Sequence, residues 1–458
     1  MRHRTIIEPF RIKSVEPILL GTEEERTAHL AAAHHNPFLL GSDQVTIDLL
    51  TDSGTSAMSA QQWSGIMVGD ESYAGSLSWG RMESVVRDLT GFEHILPTHQ
   101  GRAAERIIYG QLGGPGKLFI SNTHFDTTRA NIESGGATAV DIPIAEGRDP
   151  ESEHPFKGNM DVAALERLLA AERERVGAVI LTVTNNTGGG QPVSLANVTE
   201  VSAACRKHGV PLVIDCCRIA ENSWFVRHRE PGMCDVPYRE IARRMFALAD
   251  AAVMSAKKDG LANMGGFLAL RDDALADECR NLLIITEGFT TYGGLSGRDM
   301  EAIATGLQEV FDDRYLEYRI RSTTFLGDRL HELGVPLMRP IGGHAVYVDA
   351  KRLYPQIPVH EYPGQSLVCA LYLLAGIRSV EIGSVMFGTY DAAGALVPAA
   401  MELVRLAIPR RVYTQSHIEY VAETFEEVMA RRGEARGLRI TREPRFLRHF
   451  SAHFEPVG

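Results

Sequence analysis

Long apolar runs are missing from this chain. Nothing approaches the ~20 consecutive apolar residues a membrane span requires, so no membrane partner is expected. Cysteine is scarce: six in 458 residues, two of them adjacent (Cys216, Cys217), do not make a disulfide framework, and a reducing cytoplasm is the natural compartment. Positive charge is in deficit. With 47 Lys and Arg against 58 Asp and Glu, the net charge is −11, which argues against nucleic acid or an anionic membrane surface as a partner. No Cys/His cluster has zinc spacing, and neither an internal repeat nor a low-complexity stretch is present. The basic start, Met1 to Pro9, lacks the apolar core of a signal peptide. What is there is a chain 44% hydrophobic, long enough for two domains.

From about Lys117 onward, short β-rich runs alternate with helical patterns. Strands are expected at Lys117–Ser121, Ala137–Ile142, Gly177–Val183, Val210–Asp215, Ala251–Ala256 and Gly266–Leu270, with helices such as Asp161–Val176 and Asn197–His208 between them. That alternation predicts a mostly parallel sheet with helices on both faces. After a long helical stretch near Asp299–Leu333, strands (Ala345–Asp349, Val404–Ile408) and a helix (His417–Arg432) mix, as in a smaller α+β domain. The expected division is 1–55 as an N-terminal arm and part of the small domain, 56–312 as the large domain, and 313–458 as the C-terminal small domain.

The apolar run Ala251–Met254 leads into Ser255-Ala256-Lys257-Lys258-Asp259. An enzyme of the aspartate-aminotransferase type carries, at such a strand end, an amine desolvated enough to be a nucleophile, with a hydroxyl nearby for the phosphate of pyridoxal phosphate. Taken alone, a Lys-Lys pair there is more often a solvated edge. Val210–Asp215 ends in Asp215-Cys216-Cys217-Arg218. A buried carboxylate keeps a pyridine nitrogen protonated, and an arginine three residues on reaches the ring's phenolic oxygen; the bland alternative is an aspartate capping the next helix. The two motifs together, Lys258 some 40 residues beyond Asp215, point to the cofactor.

His99-Gln100-Gly101-Arg102 reads as a loop opening a helix, whose free N–H groups suit a phosphate. Phe125 is either a ring stacked on a flat cofactor or an ordinary core aromatic. Arg405 is a charge inside the apolar run Val404–Ile408; it is either a bidentate clamp on a substrate carboxylate or half of a structural ion pair.

Blocks along nearly the whole chain add a resemblance: Ile47 to Thr55, Gly69-Asp70-Glu71-Ser72-Tyr73, Pro97 to Arg102, Gly189 to Ser194, Glu287 to Gly294, Gly342-Gly343-His344-Ala345 and Leu447-Arg448-His449-Phe450. In these the chain resembles the β-eliminating lyases that act on tryptophan or tyrosine. The resemblance implies the pyridoxal-phosphate fold of the aspartate-aminotransferase type (fold type I). Lys258 would hold the cofactor and shuttle the α-proton; Asp215 would pair with the pyridine nitrogen; Phe125 would stack on the ring; Asn186 and Arg218 would address its 3-oxygen. Gln100, Gly101, Arg102 and Ser255 would bind the phosphate. Arg405, with Thr51 and Ser53, would hold the amino acid's carboxylate. Tyr73 would help protonate the leaving group, reaching in from a neighbouring subunit as Tyr292 also does. Gly54, Glu71 and Asn263 match the positions for a monovalent cation, K+, at a subunit contact, and a homotetramer of catalytic dimers is implied.

Within that family three positions favour indole over phenol. Ile382 stands where the phenol-lyases have an arginine, and a phenol oxygen facing it would be left unpaired at a cost of ~1–3 kcal/mol. Asp126 and His449, neighbour to Phe450, match the indole-lyase pattern, a carboxylate–imidazole pair able to move a proton at the indole ring. The structural alternatives are a helix cap for Asp126 and a surface histidine for His449. The expected reaction is β-elimination of tryptophan to indole, pyruvate and ammonia. A tyrosine phenol-lyase, a relative acting on a modified aromatic amino acid, or an aminotransferase are the alternatives. Departures from the family pattern fall at Asn185–Gly190, Ala103 and Cys216-Cys217.

Overall fold

The computed structural model describes residues 6–445 and 447–457; the first five residues of the N-terminal reading lie outside that range. Its centre is a seven-stranded sheet in the order His94–Thr98, Gly266–Leu270, Ala251–Ser255, Leu212–Asp215, Val176–Thr182, Leu118–Ser121, Thr138–Asp141. All strands run parallel except Gly266–Leu270, which is antiparallel to both neighbours. Both faces are covered. Leu212 and Ile214 enter one core with Ala252 and Met254, whereas Val213 enters the opposite core with Ala251 and Val253. This two-sided burial is why these strands read as continuous apolar runs instead of alternating ones.

The helices obey their end signals. Ser194 caps Leu195–His208 by accepting from the Asn197 amide, and Gly209 closes it at φ +63°. Asp161 caps Val162–Glu172 in the same way. The long stretch expected at Asp299–Leu333 divides into Gly297–Glu309 and Asp313–Glu332, because Asp312 caps a new start by accepting from the Tyr315 amide. Helices Ala60–Val68 and Leu77–Thr90 and the strand His94–Thr98 were not expected. That strand contains Pro97, tolerated because it lies at the sheet's edge.

The second core is built on the antiparallel sheet Val380–Ile382, Leu403–Ala407, Ala345–Asp349. Ile47 and Leu49 from the N-terminal segment pack there with Val404, Leu406 and Phe425, and Ile47–Asp48 pairs in parallel with Ile377–Arg378. The helix Asp313–Glu332 serves both cores, Ile320 in the large one, Leu326 and Leu330 in the small one. Among the described residues no helix is long and apolar enough to cross a membrane.

Candidate active site

A cavity of about 280 Å³ lies past the carboxyl ends of the parallel strands, where open α/β sheets place their ligands. It gathers fifteen of the expected residues: Thr51, Ser53, Gln100, Gly101, Arg102, Phe125, Asp126, Asn186, Asp215, Arg218, Ser255, Lys258, Arg405, His449 and Phe450.

One side of the cavity is a helix start. Gln100 is the cap of Gly101–Leu112, and Gly101 packs so tightly on the strand end that a Cβ there would lie 2.7 Å from the Ser255 Cβ. The buried Ser255 hydroxyl oxygen finds no partner among the described residues. An orphan hydroxyl beside free helix N–H groups suits a phosphate.

Asp215 ends its strand and accepts from the Cys217 amide over 3.1 Å; Lys258 Nζ lies 4.0 Å from the Cys217 sulfur. Burial, and then Asp215, push the Cys217 thiol up to about 12, which keeps it neutral between the two. Cys216 points away, its thiol donating to the Val253 carbonyl. Lys257 also lines the cavity; burial and the neighbouring Lys258 charge lower its pKa.

Another wall of the cavity is built around Arg405. Its Nη1 donates to the Asn186 amide oxygen (3.0 Å) and Nη2 to the Leu50 carbonyl (2.8 Å), while the buried Nε has no partner among the described residues. Asn186 Oδ1 also accepts from Tyr347 Oη (2.7 Å) and lies 2.9 Å from His344 Nε2. Arg218 is gripped by Asp52 through Nε (3.0 Å) and Nη2 (2.7 Å). Burial pushes the Asp52 carboxyl up, but Arg218, His344 and Arg410 outweigh it and hold it well below the usual range. Arg410 extends the network to Glu221 (2.8 Å) and to Asp259 (3.0 Å), the residue after Lys258. These buried ions tie the N-terminal segment and the C-terminal part to the large sheet around the lysine.

On another wall of the cavity His449 Nε2 lies 3.0 Å from Asp126 Oδ2, both side chains buried, and neither ring nitrogen makes a hydrogen bond among the described residues. Phe38 packs edge-on against Phe450 and His449, with ring centroids 5.0 and 5.7 Å away.

A family model described as beta-eliminating lyase matches residues 48–424. The chain is 62% identical to a tryptophanase of Salinibacter ruber, over 99% of this chain and 96% of that protein. It is 57% identical to a tryptophanase of Rhodobacter capsulatus (99% and 100%), and 46% identical to a tyrosine phenol-lyase of Pasteurella multocida (98% and 98%). The chain belongs to the β-eliminating lyase family. The fold also matches a serine palmitoyltransferase of Sphingomonas wittichii, with a TM-score of 0.59 at 15% identity, over 90% of this chain and 97% of that one. The lyase thus has the pyridoxal-phosphate fold of the aspartate-aminotransferase type.

Six expected residues lie outside the lyase's cavity. Ile382 packs with Leu403 and Tyr347 in a core cluster, whereas Val380 and Met386 of the same cluster line the cavity. Two residues along a strand advance the chain by ~6.6 Å, which carries Ile382 past the opening that Val380 reaches. Tyr73 is 69% exposed and lies against Phe289 and Tyr292, ring centroids 5.6 and 5.2 Å away. Among the described residues no hydrogen bond or ion pair joins Glu71 to Gly54 or Asn263. Glu71 pairs with Arg298 (2.9 Å), and the Asn263 amide donates to the Gly54 and Ser56 carbonyls (3.0 Å each).

Sequence reasoning missed Glu105, Asp52 and Met386. Burial, and then Asp215, raise the Glu105 carboxyl to about 7, against a hydrogen bond from Thr128. The signal was a carboxylate four residues after Gly101 on a helix whose neighbours Ala104 and Ile108 are buried.

Proposed function

We propose that the chain is a carbon–carbon lyase that converts tryptophan and water to indole, pyruvate and ammonia. The observation that carries the reading is the Asp126–His449 pair, 3.0 Å apart, facing an apolar wall of Phe38, Leu50, Val380, Met386 and Phe450. The names of the Salinibacter and Rhodobacter relatives support it.

The residues fit pyridoxal phosphate: the orphan Ser255 hydroxyl and Gly101 turn for a phosphate, Asp215 for a protonated ring nitrogen, Phe125 for a ring face, Asn186 and Arg218 Nη1 for the 3-oxygen. When bound, that cofactor draws electrons from the amino acid's α-carbon and so eases loss of the α-proton and of the β-substituent. Lys258 Nζ holds the cofactor and then carries the α-proton. Arg405 Nε, with the hydroxyls of Thr51 and Ser53, holds the substrate carboxylate. His449, which lies beside Asp126, exchanges a proton at the indole ring, since an indole leaves as a neutral molecule only when its ring carbon gains a proton. The Phe38–Phe450 wall excludes water around that step.

The same reading has Tyr73 and Tyr292 working across a subunit contact of a homotetramer built from catalytic dimers. It has Gly54, Glu71 and Asn263 holding K+ there, and the enzyme in the cytoplasm with a division at residues 55 and 312. Purified protein incubated with tryptophan, tyrosine and S-methylcysteine, with pyruvate assayed, tests the central reading. Pyruvate from tryptophan well above that from tyrosine is expected; formation of the cofactor's amine form without pyruvate would mean an aminotransferase.

A further inference from the structure

The backbone from Gly383 to Gly388, which carries Met386 into the cavity, is gripped from two sides. Its amides point to two glutamates: Ser384 N–H donates to Glu402 Oε2, Val385 N–H to Glu381 Oε1 and Met386 N–H to Glu381 Oε2, each over 3.1 Å. The Ser384 hydroxyl donates to Glu402 Oε1. Its carbonyls point to one arginine: Arg448 Nε donates to Val385 (2.7 Å), and Nη2 to Gly388 (2.8 Å) and to Ser384. Arg448 immediately precedes His449 and Phe450. The loop and the histidine wall are therefore one mechanical piece.

The two carboxyls are 2% and 3% exposed and flank Gly383, where a Cβ would lie 2.6 Å from Glu381 Oε1 and 2.6 Å from Glu402 Oε2. Like charges this close and this dry do not both ionise cheaply. Burial and Glu402 push Glu381 up to about 8, against its amide donors; burial raises Glu402, against Ser384. The charged groups around the pair are Lys351 and Asp349 on the Glu402 side, and Arg448 with Glu443 across the loop. His449 shares with Glu381 a cavity of about 10 Å³ that Ser379 and Gln365 also line.

We propose that Glu381 and Glu402 hold one proton between them, and that this proton keeps the 383–388 loop, and through Arg448 also His449 and Phe450, closed against an aromatic leaving group. The inference rests on the elimination reaction proposed above. Glu381, Glu402 and Arg448 are positioning residues: they touch neither substrate nor cofactor. When the pair becomes doubly charged, repulsion across Gly383 pushes the loop outward and the wall opens. An aromatic leaving group needs that wall, whereas a small thiolate does not.

The test is the ratio of kcat/KM for tryptophan to that for S-methylcysteine, followed against pH in the holoenzyme, so that titrations common to both reactions cancel. The ratio should fall about tenfold between roughly pH 7 and pH 9 in the parent, following protonation of the pair. It should stay flat in Glu402→Gln, which keeps an acceptor for the Ser384 amide and removes one charge. A flat ratio in the parent, or the same fall in the variant, overturns the proposal. Arg448→Lys should lower the ratio at every pH by about tenfold or more, the loss of one to two carbonyl hydrogen bonds to a charged donor; equal loss of both reactions would overturn the link to His449. If the parent makes pyruvate from S-methylcysteine but not from tryptophan, the substrate reading fails separately, and S-benzylcysteine replaces tryptophan in the same ratio.

Discussion

Arg405 donates to the Asn186 amide oxygen over 3.0 Å, so the proposed carboxylate clamp and the residue beside the cofactor ring form one unit. Tyr347 fixes the same oxygen from the other side at 2.7 Å. In the proposed function this couples substrate binding to the geometry of the ring site.

Arg405→Ala should raise KM for every amino acid substrate by roughly 10- to 100-fold, the value of ~1.5–3 kcal/mol for a hydrogen bond to a charged group. Steady-state kinetics on tryptophan and S-methylcysteine check this. An unchanged KM would make Arg405 a structural ion-network member.

Lys258→Ala should remove the visible absorption band of the bound cofactor, because it removes the amine that forms the bond. Lys257 also lines the cavity, which gives the experiment its alternative. A retained band that borohydride still reduces would move the role to Lys257.

Replacing potassium by sodium should lower activity, and chelators of divalent metals should not, since carbonyl and carboxylate oxygens suit a large monovalent ion. Glu71→Gln should abolish the difference between the two ions. Equal activity in both salts would show that the Glu71–Arg298 pair has another purpose.

Glu105 gives a pH dependence of stability. Its carboxyl is raised from 4.5 to about 7, so its stabilising contribution is complete below the ordinary carboxyl range and is lost as pH rises to about 7. The total is on the order of 3 kcal/mol. Denaturant unfolding of the cofactor-free protein across that window should show the decline, and Glu105→Gln should flatten it. The same slope in both proteins would assign it elsewhere.

The legible parts of the chain were those where physical cause and pattern lie close together in sequence. Gly266–Leu270 and Ala345–Asp349 appear where apolar runs are bounded by turn residues. Asp215 and Lys258 were legible because a polar group ending an apolar strand is conspicuous. The Asp52–Arg218–Arg410 network was not, because its members lie up to 358 residues apart, and the sequence aims Arg218 at a ring oxygen without showing its partner Asp52. Ile382 was chosen by its match to a family position, and such a match does not tell where along the strand the cavity ends.

In the proposed mechanism His449, 3.0 Å from Asp126, serves the indole ring alone. The decisive measurement is kcat/KM for tryptophan and for S-methylcysteine in His449→Phe beside the parent. A general acid or base contributes about 10²–10⁴-fold, so tryptophan turnover should fall by about that factor while S-methylcysteine turnover stays within a few-fold. Equal losses in the two reactions would contradict the account, making the 3.0 Å contact with Asp126 a feature of the fold.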